Sequence, residues 1–141
     1  MPPGKPSRLT RTRFSGIFDP VVDAERKRET FARGIACFNR RQFFECHEVL
    51  EEIWLAEVPE EKPFYQGLIQ VAAAFHHYQK GNLAGARSLL RQGLAKLATC
   101  PADSHGIDLA GLRSALAGWL EPLDRAERPE GLALPQIGPA R

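Results

Sequence analysis

Phe43-Phe44-Glu45-Cys46-His47-Glu48-Val49-Leu50-Glu51-Glu52-Ile53-Trp54 is the densest mixture of large apolar and ionisable residues in the chain. Placed on a helical wheel, Phe43, Cys46, Leu50, Ile53 and Trp54 gather on one face, the pattern of a helix that buries one side. His47 falls inside that face and Glu51 at its edge, four residues on and therefore on the same side of the helix. Glu48 lies further round, bracketed by Phe44 and Leu55, while Glu45 and Glu52 point to water. A helix so marked sets the period by which the rest is read.

The same period recurs on both sides of it. Thr30, Phe31, Ile35 and Phe38 predict a preceding helix, capped by Asp23 and ending near Asn39, a residue that tolerates the left-handed conformation. Arg40-Arg41-Gln42 is then a tight turn into the second helix, residues 43 to about 57, and Pro59 and Pro63 punctuate the linker after it. A third helix over about 62–80 has a very wide apolar arc and should be the most buried, ending at Gly81. Leu83, Ala86, Leu90, Leu94 and Leu97 mark a fourth over about 83–98. A loop containing His105 leads to a fifth, capped by Asp108, with Leu109, Leu112, Leu116, Trp119 and Leu120 inward and closed by Pro122. No period-2 strand pattern occurs, so the expected fold is all-α.

The two central hairpins align at a spacing of 40 residues: Phe38 falls on Tyr78, Arg40 on Lys80, Phe43 on Leu83, Cys46 on Ala86, Leu50 on Leu90 and Trp54 on Leu94. Small residues at 46 and 86 sit where antiparallel helices approach most closely. The logic is that of tetratricopeptide hairpins, but two units are fewer than the three or so a solenoid requires. The expectation is a compact bundle of two stacked antiparallel hairpins plus a C-terminal helix.

The chain has 141 residues, 43% apolar and 26% charged, enough for one domain with one core. Residues 1–20 form a basic arm with four prolines and Lys5, Arg8, Arg11 and Arg13 against Asp19 alone, expected to be flexible, from which Phe14, Ile17 and Phe18 could dock. Residues 21–121 make the helical domain and 122–141 an extended tail, whose Leu132–Ile137 stretch is apolar enough to dock. A net charge of +2 makes nucleic acid an improbable partner. No apolar run approaches the roughly 20 residues needed to cross a bilayer, and the N-terminus lacks the apolar core of a secretory signal. Cys37, Cys46 and Cys100 are odd in number and at no metal-ligand spacing, so they read as buried thiols in a cytoplasmic protein.

His47 with Glu51 has two chemical readings. Either the pair satisfies buried polar groups, or His47, Glu48 and Glu51 form the helical half of a metal or acid–base site. His-Glu-x-x-Glu departs from the zincin pattern His-Glu-x-x-His, because Glu51 stands where the second zinc-binding histidine belongs. Di-iron carboxylate bundles use Glu-x-x-His with further glutamates, and the third helix has no acid. That helix does carry Gln66, Gln70 and His77 on one polar strip, which would converge with His47 and Glu51 if the strip faced the second helix.

Phe38-Asn39, the whole Phe43–Trp54 run, Leu68-Ile69-Gln70 with Ala72, and Gly81-Asn82 with Gly85-Ala86 resemble the bacterial family known as domain of unknown function 309. The resemblance covers about residues 27–97. It implies a compact all-helical single domain, and its motif falls on His47, Glu48, Glu51, Trp54, Gln70 and His77, with Cys46 where alanine is more usual. The family carries no assigned activity. Three functions follow as expectations: a binding module with a polar groove lined by those six residues, for a protein or small-molecule ligand; a metal-assisted hydrolase-like enzyme with His47, Glu51 and His77 as ligands and Glu48 as general base; or a structural domain that forms homo-oligomers. No cofactor is expected outside the metal-assisted reading.

Overall fold

The computed structural model describes residues 20–141. The expectation of an arm over residues 1–20, with Phe14, Ile17 and Phe18 docking, falls on residues outside that range, except Pro20. Five α-helices follow one another: α1 Pro20–Asn39, α2 Phe43–Ala56, α3 Lys62–Gln79, α4 Leu83–Leu97 and α5 Leu109–Asp124, with a short 3₁₀ turn at Ser104–Gly106 before the last. Neighbours in sequence pack as neighbours in space, α1 on α2, α2 on α3, α3 on α4 and α4 on α5. Among the described residues the only β feature is an isolated bridge between Ile107 and Pro139. The fold is the all-α bundle read from the sequence.

The 40-residue repeat extends to the turns. Arg41 N–H donates to the Phe38 carbonyl and Gln42 N–H to Cys37, while Gly81 N–H donates to Tyr78 and Asn82 N–H to His77. Both turns need a left-handed residue at the same place, Gly81 at φ 83° and Arg41 at φ 66°. This corrects the sequence expectation for α1: the helix ends at Asn39, but Arg41 bends backward. Asn39 has another task. Its side-chain amide donates to the Ile137 carbonyl at 3.0 Å and accepts from Ile137 N–H at 2.7 Å, clamping the tail.

The core runs through all five helices. Phe38, Phe43, Phe75 and Trp119 interlock edge-on or tilted, with ring centroids 5.1–5.4 Å apart for the pairs Phe38–Phe43, Phe43–Phe75 and Phe75–Trp119, a favoured aromatic geometry. The α3–α4 crossing is the tightest. A Cβ on Gly93 would lie 2.8 Å from the Gly67 carbonyl oxygen, and one on Gly67 would lie 2.8 Å from Leu97 Cδ2. Backbone therefore meets backbone there, and both positions exclude a side chain.

Two helix boundaries and one loop differ from expectation. α1 is already helical at Pro20, which places Asp23 in its first turn rather than at the cap. A proline's fixed φ suits a first turn, and Asp23 there faces the positive end of the helix dipole. At the other end, α5 does not stop at Pro122 but runs through it to Asp124. The residue four back, whose carbonyl the proline ring crowds, is Gly118; the buried Leu123 holds the last turn in place. The loop around His105 is a 3₁₀ turn with His105 at φ 56°. Its ring stacks on Phe64 at 3.9 Å and meets the Glu61 carboxylate at 3.0 Å, contacts that sustain the strained backbone. Asp108 caps α5 as expected, accepting from Gly111 N–H at 3.0 Å.

The tail docks along the bundle. Pro135 and Ile137 are buried, and Trp119 Nε1–H donates to the Ala133 carbonyl at 2.9 Å. Leu132, by contrast, stays exposed. Of the three free cysteines only Cys46 is fully buried, Cys37 and Cys100 being half-buried. Burial, with Cys37 adding to it, pushes the Cys46 thiol up to about 12.

Candidate functional site

α2 and α3 are antiparallel, and two contacts fix how their outer edges meet. At one end, the Phe44 ring lies 5.5 Å from His76 of α3 and stacks with His47 at 6.3 Å and 15°. At the other, Lys62 Nζ sits over the Trp54 ring, 4.4 Å from its centroid, a distance at which the ring face attracts a cation. Lys62, Ile69, Ala73 and His76 are spaced by 7, 4 and 3, so they line the α3 side of this seam. His47, Glu51 and Trp54 line the α2 side, with Glu48 beyond them on the solvent face.

His47 is half-buried rather than core. Its Nδ1 and the Trp54 Nε1 are both shielded from solvent and have no hydrogen-bond partner among the described residues. A buried donor or acceptor left unmatched costs about 1–3 kcal/mol, so the seam holds two unmet polar groups some two turns apart on one helix. The pairing of His47 with Glu51 that their spacing suggests is not made through Nδ1. Glu48 is exposed and, among the described residues, has neither an ion-pair nor a hydrogen-bond partner.

Gln70 and His77 lie elsewhere. Gln70 Nε2–H donates to Gln92 Oε1 on α4 at 3.1 Å. His77 Nδ1 contacts Asn82 Nδ2 at 3.1 Å in the α3–α4 turn, and Asn82 caps α4 by accepting from Gly85 N–H. The polar strip of α3 therefore faces α4, and it is His76 that faces α2. The wheel for α3 could not resolve this, because its buried arc is wide enough to suit either neighbour. Phe44, His76 and Lys62 were not among the sequence candidates; the one available signal was Phe44, an aromatic outside the core stripe. Among the described residues no three His, Cys, Asp or Glu side chains come together as a metal-holding group. His47, Glu51 and His77 thus do not form the ligand set that the hydrolase-like reading requires.

Fold and seam together define a small helical-bundle domain with a mixed apolar and acidic face on its second helix. Residues 31–89, from α1 into α4, match the family described as Domain of unknown function (DUF309), in agreement with the resemblance carried by the Phe43–Trp54 run. An uncharacterized protein of Aquifex aeolicus (strain VF5) is similar at 33% identity over 111 residues, covering 78% of this chain and 33% of that protein. The uncharacterized protein YpuF of Bacillus subtilis (strain 168) is similar at 31% identity over 98 residues, covering 67% of this chain and 56% of YpuF. The chain thus spans a third of the one relative and about half of the other. Among the described residues no helix is long and apolar enough to cross a membrane.

Proposed function

We propose that this chain is a binding module whose outer α2–α3 face takes a basic protein segment bearing apolar side chains. The observation that carries the reading is the second seam of α2. Phe44, Glu48, Glu51 and Leu55 recur at intervals of three and four, with His47 beside them, and Val58 continues the line just past the helix. Phe44, Leu55 and Val58 are large apolar side chains at 50%, 44% and 54% exposure. A helix with one apolar stripe is folded by its core; a second stripe has no use in folding and suits helix-in-groove or strand-like recognition of a partner. Carboxylates at Glu48 and Glu51 between the apolar groups set the preference for a basic segment. Lys62 over Trp54 supports it, since a cation already occupies one end of the seam.

The three free cysteines favour a reducing compartment, and we place the protein in the cytoplasm. The test is a titration of the full chain with a labelled peptide of alternating arginine and phenylalanine, against one of alternating aspartate and phenylalanine. The basic peptide is expected to bind at least tenfold more tightly, and the combined Phe44→Ser, Glu48→Gln, Glu51→Gln, Leu55→Ser variant to lose that binding. Equal affinity for both peptides, or binding untouched by the variant, would refute the proposal.

A further inference from the structure

A second surface, separate from the α2 face, is built to hold extended chain, and the tail after α5 lies on it. Phe75 of α3 meets Phe38 of α1 at 6.2 Å and Trp119 of α5 at 5.2 Å, so α1 and α5 flank α3. The tail bridges the two flanking helices, bonded to Asn39 at the end of α1 and to Trp119 of α5. It starts by Tyr78, near the C-terminal end of α3, where Arg128 lies 5.5 Å from the ring centroid. It ends at Gly106, beside the stack of His105 on Phe64 at the other end of α3.

Main chain dominates the contact. Asn39 bonds both the N–H and the carbonyl of Ile137, and Trp119 Nε1–H donates to the Ala133 carbonyl. Asp108 N–H donates to the Gly138 carbonyl at 2.8 Å, and Ala140 N–H to the Gly106 carbonyl at 2.9 Å, around the Ile107–Pro139 bridge. Gln136 adds a side-chain bond, to the Asn39 carbonyl at 3.3 Å. Selectivity by side chain falls on Pro135 and Ile137, which are buried while Ala133, Gln136 and Pro139 are exposed. Positions two apart share one face of an extended segment. Main-chain bonds that give affinity, with pockets for alternate side chains, are the arrangement by which proteins take up extended peptides. Residues 131–140 carry no charge, so the segment selected here differs from the basic one proposed for α2.

The connection to this occupant is weak. From Asp124 to Ala133 only Pro129 is buried. The chain turns back through two left-handed residues, Gly131 at φ 73° and Ala126 at φ 58°, the second in a conformation that disfavours an L side chain. A segment with so few buried contacts opens locally at less cost than the helices it covers.

We propose that the groove between α1 and α5 is a docking site for an extended, uncharged segment of a partner protein, carrying proline and a β-branched apolar residue two positions apart. The tail is the competitor within the chain. A partner enters only when the tail is open, so its apparent affinity is the intrinsic one reduced by the open fraction.

The probe is a labelled synthetic peptide of residues 129–141, titrated into the natural full chain and into a full-length variant carrying Pro135→Ser and Ile137→Ser. Circular dichroism checks that both chains are equally helical. The variant is expected to bind the peptide at least tenfold more tightly than the natural chain, and adding Asn39→Ala to abolish binding. A serine–alanine peptide that keeps only the proline and the isoleucine is expected to bind the variant within tenfold of the tail peptide. Hydrogen exchange on the natural chain needs no substitution: the Asp108, Ile137 and Ala140 amides are expected to exchange together, at least tenfold faster than that of Val71 in α3. The opening constant read from that exchange should equal the ratio of the two peptide affinities. Tail amides as slow as Val71 make the tail a fixed part of the fold and overturn the proposal. So do equal binding to both chains, binding to neither, binding that survives Asn39→Ala, and failure of the serine–alanine peptide. A concentration-dependent dimer of the natural chain, lost on Ile137→Ser, would assign the groove to the tail of a second copy and overturn a separate partner. The α2 face stands or falls by the arginine–phenylalanine peptide alone.

Discussion

Replacing Gly93 by alanine and replacing Gly118 by alanine are the same chemical change in two helices, and they should move stability in opposite directions. An alanine in a helix interior is favoured over glycine by about 0.8–1 kcal/mol through backbone entropy. At Gly118, on the exposed side of α5, an added Cβ meets nothing within 4 Å, so that gain should appear in full. At Gly93 the Cβ would stand 2.8 Å from the Gly67 carbonyl oxygen, 2.9 Å from Val71 Cγ2 and 3.2 Å from Val71 N. Two of those three atoms are backbone of α3, which cannot rotate away, so α3 and α4 must separate. Overpacking of this kind costs about 1–3 kcal/mol, and the helix-propensity gain offsets only part of it. The net expectation is a loss of about 1–2 kcal/mol for Gly93→Ala and a gain of about 0.8–1 kcal/mol for Gly118→Ala. With an unfolding entropy of about 2 cal/mol/K per ordered residue, 1 kcal/mol corresponds to about 4 °C in a domain of this size. Urea denaturation and thermal melts followed by circular dichroism measure both. A Gly93→Ala protein as stable as the natural chain, with Gly118→Ala behaving as stated, would refute the backbone-on-backbone crossing.

Raising the pH should weaken the fold through Cys46. Its thiol stays protonated up to about 12 in the folded chain against an ordinary value of 9.0. Above pH 9 the unfolded chain has therefore lost a proton that the folded chain retains, and stability falls with pH by up to about 1.4 kcal/mol per unit. Cys46→Ala should remove that component between pH 9 and 10.5, and an unchanged slope in urea titrations would show that the thiol is not held neutral by burial. The repeated turns supply a pair of opposite substitutions. Arg41→Gly relieves a left-handed non-glycine residue and should gain about 0.5–1 kcal/mol, whereas Gly81→Ala at the equivalent place should lose about 1 kcal/mol. A loss for Arg41→Gly in the same denaturation assay would contradict the shared turn geometry.

The candidate site was legible only in part. His47, Glu51 and Trp54 share the α2–α3 seam, and their placement on one side of α2 followed from spacing alone. Gln70 and His77 shared a strip on α3 as the wheel required, but the strip turned to α4, where Gln92 and Asn82 receive it. A helix packed on both flanks offers two homes for every off-core residue, and periodicity has no term that chooses between them. His76, rather than His77, is the histidine that reaches α2 through Phe44.

What the sequence determined by itself is whatever depends on local period and local stereochemistry. Five amphipathic stretches, the left-handed glycine at 81 and the aspartate cap at 108 all act within a few residues of themselves, and each is realised. Tertiary structure decided the rest. Arg41 takes the left-handed turn because α1 and α2 must pack as a hairpin, and Asn39 is spent on clamping Ile137, nearly a hundred residues away. α5 continues through Pro122 because Leu123 has a buried place to fill. The second seam of α2 has a function to explain only once the first is known to be fully occupied by α1 and α3. That is a fact about neighbours, which no single helix carries in its own sequence.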